Sequence, residues 1–304
     1  MTYTMLDRKV EWPNGHRCAA SVSFDVDLDS MLELTHGSDA RKRMSGRSWL
    51  RYDEVAVPRI LRLYRDLGIK QTFFFPGWCI ENYGHLVEAC AADGHEIALH
   101  GYQHEVSYEQ APGEEERLLD RTIAAAEQVL PGVRPVGWRA PLYSLSDNSP
   151  RLLIERGFRY DASLMGDDVP YLLRCAAGDL LELPSEWAND DWSHYAVAPD
   201  LDYSVQVQSP ASAGAVYRAE LDAARRHGGL WIAVWHPNVS GRVARLEAVA
   251  ELLADAQNNG AWLAPLAEIA DHVNGCIADG RFTARVVYPD NKPSTVPTAT
   301  SERV

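Results

Sequence analysis

The chain has 304 residues, of which 46% are hydrophobic and 24% are charged, as expected of a globular protein with a packed core. With 29 lysines and arginines against 43 acidic residues, its net charge of −14 argues against nucleic acid and anionic membrane surfaces as partners. Five scattered cysteines without a C-x-x-C pair exclude a zinc ribbon and a disulfide framework, and indicate reduced thiols.

Strand-like and helix-like segments alternate along the chain. Residues 19–26 alternate small or apolar with polar side chains, which predicts a strand, and the irregular residues 28–50 read as a long insertion loop. The later predicted strands are 69–75, 97–99, 136–138, 158–160, 180–183, 230–235 and 262–263. The predicted helices are 54–67, 81–92, 113–130, 150–156, 211–226, 243–256 and 266–273.

Seven or eight such alternations indicate an α/β fold, either a parallel barrel or an open doubly wound sheet. Because no linker or repeat interrupts the pattern, we expect a single domain over residues 1–289. Residues 290–304 are rich in Pro, Ser and Thr, so we expect a disordered tail. In a parallel barrel the chemistry lies where strands end, which directs attention to the polar residues that follow the predicted strands.

Three aspartates follow the first predicted strand in the sequence FDVDLD. Because side chains alternate along a strand, Asp25, Asp27 and Asp29 would point the same way, opposite the apolar residues between them. Two carboxylates at a strand end can divide labour, one holding a cation while the other accepts a proton. A solvated strand end or a helix cap is an equally good interpretation of these residues alone.

Two histidines follow the strand predicted at 97–99. A spacing of four places His100 and His104 on one face of a helical turn, from which both imidazoles could reach one ion at about 2.0–2.1 Å. The pair does not choose among Zn, Fe, Co, Ni and Cu, and H-x-x-x-H also occurs by chance. Two histidines and one carboxylate would leave coordination positions open, as a catalytic metal that acidifies water and polarises a carbonyl requires.

Arg139 and His236 also follow predicted strands. The guanidinium of Arg139 can fork onto a carboxylate and keep it ionised, although a surface salt bridge is the commoner role. His236 ends the most apolar strand, LWIAVW, and is either a hydrogen-bonded core residue or a general acid near neutral pH. Trp187, Trp192 and Trp235 are candidate pocket walls, with burial in the core as the alternative.

In combination these motifs resemble the polysaccharide deacetylase family, also called the NodB-homology family or carbohydrate esterase family 4. SFDVD, HGYQH, RAP, EWANDDW and a strand-terminal histidine occur in the family's order between residues 21 and 236. The resemblance implies a distorted parallel (β/α) barrel of seven or eight strands and removal of acetyl from an N-acetylated amino sugar. It also implies one divalent transition metal, and zinc is the ion expected from its availability.

The resemblance also assigns roles to individual positions. The residues similar to the family's metal ligands are Asp27, His100 and His104. The residues similar to its catalytic base, the arginine that orients this base, and its catalytic acid are Asp25, Arg139 and His236. The residues that we expect at the substrate pocket are Trp187, Trp192 and Tyr143.

Three departures from the family pattern point to one of its branches. Val26 separates two aspartates that are adjacent in typical members, and Leu142 stands where a tyrosine usually follows R-x-P. The last motif reads Ala-Val-Trp-His instead of Leu-x-Ile-His. These features resemble an intracellular branch that includes peptidoglycan deacetylase-like proteins and hydrolases of cyclic imides or allantoin. Members of that branch tend to be homo-oligomers, so a dimer or tetramer is implied.

The first residues show neither an apolar signal-peptide core nor a cleavage site, so we expect a cytoplasmic protein without a membrane partner. Such an enzyme meets small molecules or short saccharides rather than finished polymers, and the 28–50 insertion is placed to obstruct a long groove. We therefore expect a metal-dependent hydrolase of non-peptide C–N bonds, acting on an N-acetylated amino sugar. The alternatives are hydrolysis of a cyclic imide or ureide, and a catalytically silent sugar-binding barrel.

Overall fold

Strands and helices alternate through residues 5–289 and 294–295, the part of the chain that this computed structural model describes. The strands are β1 (Cys18–Asp25), β2 (Thr72–Phe75), β3 (Glu96–Leu99), β4 (Gly137–Trp138), β5 (Tyr160–Asp161), β6 (Tyr171–Cys175), β7 (Gly178–Glu182), β8 (Val197–Ala198), β9 (Tyr203–Ser204), β10 (Leu230–Trp235), β11 (Ala261–Leu263) and β12 (Val286–Val287). The α-helices are α1 (Ser30–His36), α2 (Met44–Leu50), α3 (Asp53–Leu67), α4 (Gly77–Asn82), α5 (Gly84–Ala92), α6 (Glu114–Val129), α7 (Ser149–Glu155), α8 (Trp192–Tyr195), α9 (Pro210–His227), α10 (Pro237–Ser240), α11 (Val243–Asn258) and α12 (Leu266–Ala278).

The main sheet is parallel along most of its width. Its strand order is β10-β1-β2-β3-β4-β5-β7-β6-β12, with β11 paired to β1, and the antiparallel step in it is the β6–β7 hairpin. An isolated parallel bridge between Asp190 and Val234 brings the chain after β7 back to β10. The predicted class, a distorted parallel (β/α) barrel, is confirmed by this order and by the related structures described below.

The two faces of the sheet carry different layers. Val22 and Phe24 of β1, with Trp231 and Trp235 of β10, belong to a core that also contains apolar residues of α3, α5, α9 and α11. On the inner face, Ala19 and Ile232 pack with Phe74 and with apolar residues of α12. Strand alternation therefore places Ser21, Ser23 and Asp25 on the inner face of β1, and Asp25 lies at its carboxyl end.

Most predicted elements are found within a few residues of their expected positions, and β10 is found at the predicted residues. Three differences stand out. The insertion expected as a loop contains α1, a 3-10 turn at Gly37–Lys42, and α2. The helix predicted at 81–92 is two helices, α4 and α5, because the chain kinks at Tyr83, where φ is −132°. The strand β6 was missed, since it depends on hairpin pairing with β7.

Three further expectations concern the whole chain. Of residues 290–304 only 294 and 295 are described, and Thr295 bridges Val286; the disorder expected for the others falls outside the described residues. All five cysteines lie in the described part and are unpaired, as expected. No helix among the described residues is long and apolar enough to cross a bilayer.

Candidate active site and metal centre

The residues predicted to act in catalysis and metal binding lie close together at the carboxyl ends of β1, β3, β4 and β10. Asp25 ends β1 and accepts a hydrogen bond of 2.7 Å from Nη1 of Arg139, which follows β4 and is fully buried. The same guanidinium donates to Oγ of Ser23 and to the Ala162 carbonyl, so its direction is fixed. Burial raises the pKa of the Asp25 carboxyl, but Arg139, His100 and His236 together outweigh it and leave the pKa below its ordinary value. Asp25 is thereby held ionised, as a proton acceptor must be.

Asp27, His100 and His104 form a buried group whose ligand atoms all lie within 4.8 Å of one another. Nε2 of His100 is 3.6 Å from Oδ1 of Asp27, and Nε2 of His104 is 3.7 Å from Oδ2. Atoms so spaced can share one ion at about 2.1 Å. The helical turn expected for the histidines is wrong: both lie in a loop after β3, where His104 has a φ of +69°.

The donor set fits a divalent metal. Both carboxylate oxygens of Asp27 are buried and make no hydrogen bond with the described residues, an arrangement that is costly without a cation. Nδ1 of His100 lies 2.8 Å from the Arg139 carbonyl, which fixes the proton on Nδ1 and leaves Nε2 free as a ligand. Burial, together with the nearby charge on His100 and His236, lowers the pKa of His104 well below its ordinary value. A neutral imidazole is the form that binds metal.

His236 follows β10 and is held by Asp191, a residue that the sequence analysis did not single out. Nδ1 of His236 lies 2.7 Å from Oδ1 of Asp191, whose Oδ2 accepts the His236 backbone amide at 3.0 Å. Burial lowers the pKa of His236, but the carboxylate of Asp191, together with those of Asp27 and Asp190, outweighs it and raises the pKa to about 10. At neutral pH His236 therefore carries a proton that it can donate. The only signal for Asp191 in the sequence is the acidic pair inside EWANDDW.

The loop after Asp27 is held by a second residue that the sequence analysis missed. Leu28 has a φ of +47°, a left-handed conformation that is unfavourable for a side chain larger than that of glycine. Its amide donates at 3.0 Å to Oδ2 of Asp53, a buried carboxyl at the start of α3, and burial raises the pKa of Asp53 well above its ordinary value. The turn also removes Asp29 from the face of Asp25 and Asp27, contrary to expectation.

Asp29 instead packs away from Asp27, His100 and His104. Its carboxylate accepts hydrogen bonds from the hydroxyl of Tyr83 at 2.6 Å and from Nε of Arg51 at 2.8 Å. The strand itself ends at Asp25, so the alternation on which the expectation depended stops before Asp29. Asp29 thus stabilises the insertion and is not placed to bind the same ion as Asp27.

These groups open into one cavity of about 570 Å³. The predicted substrate-pocket residues that line it are Trp187, Trp192 and Tyr143. Trp235 does not line it: this side chain is fully buried on the helix-covered face of β10, next to Phe24 and Tyr217. The reason is strand alternation, which turns Trp235 away from the inner face.

One wall of the cavity comes from the 28–50 insertion. Met31, Leu34 and Thr35 of α1 line the cavity next to Leu201 and Tyr203. The two sides of this wall are joined at Asp200. Its carboxylate binds Nη1 of Arg43 at 2.5 Å, and its carbonyl lies 2.6 Å from Nε2 of His36. The insertion therefore narrows the approach to the metal ligands, in the place where the sequence analysis expected an obstruction.

A family model for polysaccharide deacetylases matches residues 43–160. A crystal structure from Mycobacterium smegmatis, assigned to the polysaccharide deacetylases, is 38% identical; with a TM-score of 0.87, the match covers 96% of this chain and 99% of that one. The chain belongs to the polysaccharide deacetylase family. The peptidoglycan deacetylase of Helicobacter pylori is 28% identical in an alignment 250 residues long, and the match covers 73% of this chain and 84% of the relative. An allantoinase structure shares the fold, with 22% identity, a TM-score of 0.75, and coverage of 90% of this chain and 95% of that one.

Proposed function

We propose that this family member is a metal-dependent hydrolase of a non-peptide C–N bond, which removes acetyl from a compact N-acetylated amino sugar. One observation carries the proposal: three prepared groups line a single cavity. They are an ionised carboxylate held by an arginine, a protonated histidine held by an aspartate, and a buried three-ligand set without a hydrogen-bond partner for its carboxylate.

The residues Asp27, His100 and His104 would hold the metal, and we propose zinc. When bound, such an ion polarises the amide carbonyl and lowers the pKa of water. Asp25 takes the proton from the attacking water, because Arg139 keeps this carboxylate ionised and fixes its direction. The water's proton stays on Asp25, and a second proton has to reach the amide nitrogen so that the amine can leave.

His236 supplies that proton. Its Nδ1 faces Asp191, so Nε2 is the nitrogen turned toward the cavity, 3.5 Å from Oδ2 of Asp27. Protonation of the amine makes it a leaving group, and the C–N bond breaks to give acetate and the free amine. Acid and base assistance of this kind contributes roughly 10²–10⁴-fold each.

The backbone amide of Leu142 completes the arrangement as a donor to the developing oxyanion. It lies in a tight turn with a φ of +51°, and it makes no hydrogen bond inside the described part of the chain. The Leu142 side chain points outward and is 60% exposed. Because the donor belongs to the backbone, leucine in place of the tyrosine usual in the family does not remove it.

The test is a substrate panel assayed with the zinc-loaded protein: N-acetylglucosamine, its di- and tetrasaccharides, cyclic imides and allantoin. We expect release of acetate from the mono- or disaccharide, and loss of at least about 100-fold in Asp25→Asn, since a proton acceptor is removed while the metal ligands remain. Turnover of cyclic imides alone would favour the second candidate, which the largely apolar cavity also fits. Binding of sugar without turnover of any compound would identify a silent barrel.

The expected cytoplasmic location and the homo-oligomeric state stay predictions. Fractionation of cells that produce the protein with its native N-terminus tests the first. Light scattering coupled to size-exclusion chromatography tests the second, with a dimer or tetramer as the expected result.

A further inference from the structure

Carboxylates greatly outnumber cations among the side chains that line the active cavity. Setting histidines aside, the charged lining residues are Arg139 and five acids, Asp25, Asp27, Glu105, Glu109 and Asp190. Arg139 is fully buried and already donates to Asp25, Ser23 and the Ala162 carbonyl. Apart from the protonated His236, the lining residues therefore offer no cation that is free to bind a substrate.

Three of these carboxylates take no part in the proposed chemistry. Two are fixed by donors of the protein: Glu105 accepts the amides of Tyr102 and Gln103 at 2.8 and 2.6 Å, and Asp190 accepts the hydroxyl of Tyr143 at 2.6 Å. Glu109 is exposed and forms no ion pair with any described residue. These three carboxylates place negative charge along the cavity lining, where lysine or arginine would be expected for a phosphate-binding enzyme.

The mouth of the cavity is also poor in hydrogen-bond donors. Four of its lining side chains are large, apolar or aromatic, and unusually exposed, namely Leu34 (46%), Leu142 (60%), Trp187 (52%) and Tyr203 (37%). An anionic substituent resting against these groups would lose hydration and gain in return, at most, the neutral donors of Trp187 and Tyr203. A sugar ring or another compact neutral ring can instead stack on the aromatic surfaces.

We propose that the cavity selects amide substrates that are uncharged or positively charged, and rejects those with a phosphate or carboxylate group distant from the amide. This inference rests on the proposed function. Among N-acetylated amino sugars, the cavity accepts the free sugar and rejects its 6-phosphate. The position of the charge matters, since an anion next to Asp27, His100 and His104 would meet the cation that they hold, whereas one at the mouth meets carboxylates and neutral side chains.

The experiment compares kcat/KM of the zinc-loaded protein for N-acetylglucosamine and N-acetylglucosamine 6-phosphate. We expect a preference for the neutral sugar of at least about 10-fold in low salt, shrinking as salt screens the field. Glu109→Lys should lower this preference several-fold. Glu88→Lys is the matched control: it makes the same charge change on exposed α5, outside the cavity, and should leave the preference unaltered.

Equal turnover of the two sugars, or equal shifts in both lysine variants, would overturn the inference. A binding measurement distinguishes failure of this inference from failure of the proposed deacetylase function. If no sugar is deacetylated, calorimetric titration of zinc-loaded Asp25→Asn with the same two ligands still measures selection by charge. Tighter binding of the neutral sugar, weakened by Glu109→Lys but not by Glu88→Lys, would support selection in a silent barrel; tighter binding of the phosphate would refute it.

Discussion

The proton on His236 depends on one neighbour. Asp191 faces its Nδ1 at 2.7 Å and also accepts its backbone amide, so the carboxylate fixes both the charge and the direction of the imidazole. Asp190, the adjacent acid, bonds instead to the hydroxyl of Tyr143. Burial raises the pKa of Asp190 to about 6, which leaves it ionised over most of the neutral range.

We expect Asp191→Asn to move the alkaline limb of the pH–rate profile to lower pH by about one unit or more. His236 is an acid only while protonated, and this form is lost as pH rises through its pKa, which is raised to about 10 with Asp191 in place. Removing the negative charge lowers that pKa, so activity is lost at a lower pH. The measurement is kcat/KM from pH 5 to 10.5. Asp190→Asn, which removes a more distant charge, should shift the limb less; an unmoved limb in Asp191→Asn would contradict the pairing.

Asp53 acts on the metal ligands through the backbone. It accepts the amide of Leu28, the residue after Asp27, in a turn whose left-handed conformation persists only where the surroundings enforce it. The sulfhydryl of Cys79 donates to the Asp27 carbonyl at 3.0 Å and holds the same turn from the other side. Asp53 is thus a positioning residue for the Asp27 carboxylate.

Asp53→Leu should weaken zinc binding about 10-fold or more, whereas Asp53→Asn, which retains an acceptor oxygen, should restore most of it. Competition with a chromophoric chelator gives the affinity, and the visible spectrum of the cobalt form reports ligand geometry. Glu96→Leu is the control, because Glu96 also accepts a backbone amide, that of Ala267, but at the amino end of β3. Equal zinc affinity in the two Asp53 variants would show that the acceptor oxygen has no such role.

The site residues that could be predicted from the sequence are those that stand at the end of a predicted strand. Asp25 and His236 could be placed because a strand-terminal polar residue in a parallel barrel lies at the catalytic end. Asp53 and Asp191 could not: Asp53 reads as an ordinary acid in the first turn of a helix, and Asp191 lies in a short segment without periodicity. Their partners, Leu28 and His236, are close only in the folded chain.

At the scale of elements, the 28–50 insertion was the least predictable part. Its helices α1 and α2 have seven residues each, and few of their side chains are buried. Leu32, Ala40 and Leu50 form a small core separate from that of the barrel, so no helical period long enough to recognise is present in the sequence. The conformation of the insertion depends on its contact with Asp200 rather than on a hydrophobic pattern in its own sequence.

Asp200→Ala should increase activity on N-acetylglucosamine tetrasaccharide relative to the monosaccharide several-fold. Without the ion pair between Arg43 and Asp200, the insertion is no longer held to the segment that contains Asp200. The approach to the cavity then widens. Competition between the two substrates in one reaction gives the ratio directly. Asp39→Ala removes a carboxylate that pairs with Lys42 on the same insertion, where both side chains are exposed, and should leave the ratio unaltered. A ratio unaffected by Asp200→Ala would mean that the ion pair between Arg43 and Asp200 does not limit the size of the substrate.

At the scale of the molecule, the order of elements was predictable because a parallel barrel repeats one unit, an apolar strand followed by an amphipathic helix. The fully buried β10 shows the near-continuous apolar pattern of a strand covered on both faces. The β6–β7 hairpin departs from the repeat, and β6 was not predicted; nor were the two-residue strands β8, β9 and β12. The same architecture explains why residues far apart in sequence, such as Asp27, His100 and His236, meet at one end of the sheet.

Because these residues come together only in the folded chain, metal binding is expected to stabilise the fold. The metal ligands come from two separate loops, so an ion that binds them binds the folded chain and stabilises it by mass action. Free zinc at about 100 times its dissociation constant should add about 2.7 kcal/mol to the free energy of unfolding. For a chain of this length such a gain raises the melting temperature by about 5 °C. Scanning calorimetry with and without chelator measures the shift, which His104→Ala should abolish and Asp25→Asn should retain. A shift that survives in His104→Ala would place the ion at another site.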